Sequence, residues 1–209
     1  MIQTFTRSLA LVDYGVASFT APDQNESGDR HLVKTVPGGT LLAVVDGVGH
    51  GPEAAIAARM AIGILEAHAK DDPVLLVRRC HEQLRATRGA VMSLAVIQCA
   101  ANTLTWLGIG NIEGLLVRPG SSSSGGCETM LIRPGIVGYR LPLLQASVSS
   151  ISPGDLIILA TDGIRPNFGR RFTEEQPRAI AEYISSRCRT GLDDGLVLVA
   201  RYQGPANEP

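Results

Sequence analysis

The residues best suited to chemistry in this chain are aspartates beside glycines at the ends of apolar runs: Asp46-Gly47 in VVDGVGHG, Asp162-Gly163 in LATDG, and Asp193-Asp194-Gly195 in GLDDGLVLVAR. Any one of them reads most simply as an Asp-Gly turn, since both residues tolerate tight-turn backbone. Three together carry more weight. If the strands lie side by side, the carboxylates converge at one edge of a sheet, where like charges repel unless protons or cations intervene. Magnesium and manganese suit such a set, because hard divalent cations take oxygen ligands and retain waters. Glycine at position 47 frees its carbonyl to turn toward a cation. His50 adds a group that titrates near neutrality, suited equally to donating a proton and to holding a loop. The N–H groups at 51–54 open a helix that could face a phosphate or simply close a tight turn.

These residues need elements to hold them. GTLLAVVDG, residues 39–47, reads as a strand covered on both faces that delivers Asp46 at its C-terminal end. A helix follows, with Pro52 in its first turn, Glu53 complementing the positive helix end, and Ile56, Met60 and Ile64 at helical spacing as the expected buried face. A second helix is expected from Asp72-Pro73, with Val77, Cys80 and Leu84 inward. From Val91 four short apolar segments read as an antiparallel meander, and the Ser/Gly-rich stretch at 120–126 as a surface hairpin tip. GIGNIEG at 108–114 starts like a dinucleotide fingerprint, but a strand-like segment follows instead of a helix, so it reads as a turn.

SPGDLIILATDG repeats the opening theme with a turn containing Asp155, a strand and then Asp162. A last helix is expected to start between Thr173 and Pro177 and to bury Ile180, Ile184 and Cys188, ahead of a closing strand after Asp193-Asp194. At the N-terminus a short strand near Leu9–Val12 and an exposed loop ending at Asp29 are expected, and the tail 203–209 reads as flexible.

With 209 residues, 44% hydrophobic and 19% charged, the composition suits one soluble domain, 1–209, and excludes a disordered chain. A formal charge of -1 without a basic run argues against nucleic acid as a partner. Cys80, Cys99, Cys127 and Cys188 are too widely spaced for a zinc module or a disulfide framework and read as buried free thiols. Neither a signal-peptide core nor a bilayer-length apolar run is present, so the reading is cytoplasmic and without membrane contact.

In order and separation, DGVGHG after an apolar strand, LATDG and DDGLVLVAR resemble the motifs of the metal-dependent PPM protein serine/threonine phosphatases, in their bacterial SpoIIE-like branch, over roughly residues 25–202. The resemblance implies an α/β (α+β) fold: a four-layer αββα sandwich of two mainly antiparallel sheets flanked by helices. It implies two divalent cations, Mn²⁺ or Mg²⁺, with Asp46 bridging both, the Gly47 carbonyl on one, Asp162 and Asp193 on the other, and Asp29 acting through water. Asp194 is the alternative to Asp193. His50 lies four residues after the bridging aspartate, where some family members place a proposed general acid two residues after it. No arginine aligns with the one that grips phosphate in many members; Arg30, His31 and Arg165 are nearby and read as solvated charge. The implied substrates are phosphoserine or phosphothreonine on a regulatory protein, with phosphorylated STAS-domain proteins of the stressosome as the partners. The rival reading is a non-catalytic phosphoprotein-binding module on the same fold.

Overall fold

The computed structural model describes residues 2–8, 11–22, 24–118, 126–166, 168, 172, 175–191 and 193–205. In chain order these form β1 (Gln3–Ser8), β2 (Val12–Phe19), β3 (Asp29–Val36), β4 (Gly39–Gly47), α1 (Pro52–Ala67), α2 (Pro73–Leu84), β5 (Ala90–Gln98) and β6 (Thr103–Ile109). They continue with β7 (Glu113–Val117), β8 (Cys127–Thr129), β9 (Ile132–Arg133), β10 (Ser147–Ser150), β11 (Leu156–Ala160), α3 (Pro177–Cys188) and β12 (Gly195–Tyr202).

The strands divide into two sheets. One runs β1-β2-β12-β11-β7-β8; the other runs β10-β6-β5-β4-β3, with β9 beside β6. All pairings are antiparallel except β6 with β9. Alternation along the strands sends one face of each sheet into a shared core, where Val16, Leu198 and Tyr202 meet Leu42, Val44 and Trp106. The opposite faces are covered by helices. Leu41, Ala43 and Val45 pack under α1 and α2, while Ala17, Ile158 and Val199 pack under α3. The result is the expected αββα sandwich.

Several local expectations hold. β4 spans Gly39–Gly47, α2 starts at Pro73 behind an Asp72 cap whose carboxylate accepts the N–H groups of Val74 and Leu75, and α3 starts at Pro177. Asp155 closes its turn by accepting the N–H of Ser152 at 2.9 Å.

Others do not. The meander is broken after β6: β7 crosses to the other sheet and pairs with β11, so a continuous run of strand-like segments contributes to both layers. Strands end at Ser8 and begin at Val12, while Leu9 and Ala10 of the expected strand near Leu9–Val12 lie outside the described residues, as do 120–125 of the Ser/Gly stretch and 206–209 of the tail. Asp29 opens β3 instead of ending a loop. Cys80 is buried, which pushes its thiol up to about 12, but Cys127 is exposed on the short edge strand β8.

The buried face of α1 is the largest correction. Ile56 and Met60 point to solvent, 46% and 41% exposed, and Ala54, Ala55, Ala57, Ala58, Ala61 and Leu65 face the sheet. The larger side chains gave the stronger hydrophobic signal. Close approach of the helix to β4 requires the smaller ones.

Candidate metal centre

Four chain segments meet at one end of the sandwich. Adjacent antiparallel strands place Asp29, the first residue of β3, directly opposite Asp46 near the end of β4, so their side chains project to the same face. Asp162 follows β11 and Asp193-Asp194 precede β12, and β11 and β12 are neighbours in the other sheet. The charges of Asp162, Asp193 and Asp194 all reach Asp46.

The glycines beside these aspartates are required by close backbone contacts. A Cβ on Gly47 would stand 2.0 Å from the carbonyl oxygen of Ala54 in α1, and a Cβ on Gly163 would stand 1.8 Å from that of Asp194. Each junction therefore brings a neighbouring backbone against the strand exit. After Gly47 the chain turns through Gly49 (φ 86°) and Gly51 (φ 78°), left-handed values that favour glycine, into the first turn of α1.

Electrostatically the site is under stress. Asp29 is 5% exposed, and burial, followed by the charge of Asp46, holds its carboxyl well above the usual carboxylate range. Asp46 is pushed up to about 8 by burial, then by the charges of Asp162, Asp193 and Asp194. Asp162 is exposed and raised by burial of part of its carboxyl and by Asp193, an effect that a 2.7 Å hydrogen bond from the Asn111 amide opposes. Among the described residues no salt bridge reaches Asp29, Asp46, Asp162 or Asp193, and no three acidic, histidine or cysteine groups are drawn together as a closed cage. Carboxylates that feel one another yet stand apart, with no cationic side chain to offset them, fit a site for hard divalent cations.

The Asp193-Asp194 pair is divided by its hydrogen bonds. Asp194, 4% exposed, accepts the N–H of Ala21 at 2.7 Å through Oδ1 and that of Gly28 at 2.6 Å through Oδ2. Both of its oxygens are committed to closing the loop before Asp29. Asp193 is exposed, and one of its oxygens accepts the N–H of Asp194 at 2.8 Å. Of the two, Asp193 has the more accessible carboxylate.

His50 is exposed on the glycine turn. Arg30 is not the solvated charge expected of it: its guanidinium donates to the carbonyls of Ser27 and Asp29 at 2.7 and 2.9 Å and pairs with Glu26, which also holds Arg59 of α1. His31 lies half-buried in β3, with burial and Arg30 lowering its pKa, and Arg165 is exposed. Three residues at the site escaped sequence reasoning. Asn111 lay in a segment read only as a turn, Thr161 preceded a conspicuous aspartate, and Arg88, which pairs with Glu53 and lies against Gly49, follows a helix with no motif of its own.

Two packed antiparallel sheets between helices, with acidic residues gathered at one end, define the PPM class of metal-dependent protein serine/threonine phosphatases. Within it the chain belongs to the SpoIIE family: the family model for Stage II sporulation protein E matches residues 37–202. Over 137 residues, 66% of this chain and 67% of the relative, it is 25% identical to the phosphoserine phosphatase RsbX of Bacillus subtilis (strain 168). A protein solved in work on the bacterial stressosome, a modular system adapted to control secondary messenger signaling, is 32% identical, with a TM-score of 0.83 over 91% of this chain and 99% of that one. The crystal structure of RsbX in complex with magnesium shares the fold at a TM-score of 0.84, with 21% identity over 97% of this chain and all of that one. No helix among the described residues is long and apolar enough to cross a membrane.

Proposed function

We propose that this chain hydrolyses phosphoserine or phosphothreonine on a regulatory protein, using two divalent cations, Mn²⁺ or Mg²⁺, held at the acidic end of the sandwich. The observation that carries the proposal is the gathering of Asp29, Asp46, Asp162 and Asp193 from both sheets, two of them substantially buried and none offset by a cationic side chain among the described residues. Asp46 and the Gly47 carbonyl would hold one ion, and Asp46, Asp162 and Asp193 the other, with Asp29 acting through water. When bound, such ions neutralise phosphate charge and activate water for attack on phosphorus.

The chain's own residues supply position and proton handling. Asp194 fixes the loop that leads into Asp29, and Asn111 holds one oxygen of Asp162 and opposes the rise in that carboxyl's pKa. His50, exposed on a turn defined by Gly49 and Gly51, would be the proton donor to a leaving serine oxygen. Arg88, tied to Glu53 beside Gly49, fixes the same turn from the other side. Likeness to RsbX and to a protein from stressosome work supports phosphorylated STAS-domain proteins of the stressosome as substrates and partners, and a cytoplasmic place of action.

The test is release of phosphate from a phosphorylated STAS-domain protein with Mn²⁺ titrated, comparing the wild type with Asp46→Asn. Release that depends on Mn²⁺ and disappears in the variant is the expected result. Equal activity in the two proteins, or activity that survives chelation, overturns the reading. His50→Gln tests the proton donor separately: a loss of about 10²-fold in kcat is expected, and an unchanged kcat returns His50 to a loop-holding role.

A further inference from the structure

We propose that Thr161 is a positioning residue whose hydroxyl, polarised by the backbone of β12, fixes the Asp29 carboxylate across the gap between the two sheets. The inference rests on the metal-site reading above and concerns a residue that reading does not use.

Thr161 is 1% exposed, immediately after β11. Its main chain is already tied to β12, the N–H donating to the carbonyl of Leu196 at 3.1 Å. Its Oγ1 accepts the N–H of Leu196 at 2.9 Å and lies 2.8 Å from Oδ2 of Asp29. A threonine hydroxyl has a single proton to donate. Two acceptors compete for it: Asp29 Oδ2 at 2.8 Å and the Leu196 carbonyl at 3.5 Å. The shorter contact to a carboxylate is the stronger, and the Leu196 N–H occupies the hydroxyl's acceptor side. The proton therefore points at Asp29. The order of donation runs from β12 backbone N–H to Thr161 hydroxyl to Asp29 carboxylate, and each bond polarises the next.

Asp29 belongs to the other sheet, at the start of β3. Its two neighbours along the chain are fixed by other means, Gly28 by Asp194 and Arg30 by Ser27 and Glu26, so the backbone at this point is held independently of Thr161. What the hydroxyl adds is the rotation of one carboxylate. With Oδ2 bound to Thr161, Oδ1 is left as the oxygen available to the site.

A purely structural threonine would satisfy the Leu196 N–H and nothing more. Stability alone cannot separate the two roles, because removing the hydroxyl leaves that N–H unpaired in either case. Metal affinity of the folded protein can. The experiment is calorimetric titration of the chelator-stripped full chain with Mn²⁺ for wild type, Thr161→Val, Thr161→Ser and Thr161→Cys, each first shown to unfold cooperatively. Thr161→Val keeps the shape without the hydroxyl and is expected to weaken Mn²⁺ binding about tenfold, the low end of the effect of losing an outer hydrogen bond, because Asp29 itself acts through water. Thr161→Ser is expected to restore affinity to within about threefold. Thr161→Cys, whose thiol donates weakly, is expected to fall between and carries the test if the valine variant does not fold. In an Asp29→Asn background the same substitutions should change affinity little, since their effect passes through the carboxylate.

Wild-type affinity in Thr161→Val or Thr161→Cys, or a serine variant as weak as the valine one, overturns the inference while leaving the metal site standing. Failure of the wild type itself to bind Mn²⁺ overturns the metal-site reading and this inference together.

Discussion

At the end of β4, Asp46 is half-buried against Asp29, whereas at the end of β11, Asp162 stands exposed with the Asn111 amide 2.7 Å away. Both aspartates precede a glycine, and in both cases a Cβ on that glycine would strike a backbone carbonyl, of Ala54 for Gly47 and of Asp194 for Gly163. The backbone requirement is thus shared and the electrostatic setting is not. Asp46 is pushed up to about 8, first by burial. Asp162 is raised too, by burial and then by Asp193, but the side-chain amide of Asn111 and the backbone N–H groups of Asp162 and Gly163 oppose the shift. The same dipeptide yields one carboxylate crowded by other acids and one relieved by hydrogen bonds from its neighbours. A glycine beside an aspartate reports how closely chains approach, and says little about the charge state of the acid.

The sharpest way to break this comparison is to neutralise each aspartate in turn. Asp46→Asn is expected to lower kcat for phosphate release by about 10³-fold, and Asp162→Asn by about 10²-fold. Equal losses would remove the distinction between the two turns. The shared backbone requirement comes next: Gly163→Ala should destabilise the fold by about 3 kcal/mol in denaturant unfolding, because neither strand exit can yield easily, and Gly47→Ala should do the same. A tolerated alanine at either position would show that the contact gives way.

The pH response tests the electrostatic half. A carboxyl raised in the folded state binds its proton more tightly there than in the unfolded chain, so metal-free protein loses stability as pH rises from about 4, the unfolded value, to about 8, the folded one, and is level above that. For one proton the slope approaches about 1.4 kcal/mol per pH unit. Chemical denaturation of chelator-treated protein across that range measures it, and Asp46→Asn should flatten the slope; a stability that rises with pH would contradict the burial argument. The smallest effect is expected from Asn111→Ala. It should cost about tenfold in activity and move the acid limb of the pH-rate profile upward, since the amide no longer opposes the rise in the Asp162 pKa. An unmoved limb would show Asn111 to be a bystander.

Much of this arrangement was legible in the chain itself, and the illegible parts share a cause. β4 and α2 announced themselves through an uninterrupted apolar run and an Asp-Pro start, features contained within a dozen residues. Asp46, Asp162 and Asp193 stood out because each lies at a junction between an apolar strand and a glycine. Asn111 and Thr161 did not, because their meaning depends on partners 51 and 132 positions away: Asn111 meets Asp162 only through the pairing of β7 with β11, and Thr161 meets Asp29 only when the two sheets stack. The switch of β7 to the opposite sheet was hidden for the same reason: strands in either layer alternate alike, and nothing local marks the crossing. Sequence favoured Asp193 over Asp194, and the two differ in the structure through the two backbone N–H groups, from a loop more than 160 residues away, that Asp194 accepts.

The alanine face of α1 sets a clearance. With Ala54, Ala57, Ala58 and Ala61 buried between helix and sheet, each adds only a methyl group to that layer. Thickening that shim, as Ala58→Leu would, overpacks it, and Pro52 with the glycine turn of His50 stands at the near end of the same helix. The spacing of a helix far larger than the site thus works as the gauge for a loop only a few residues long.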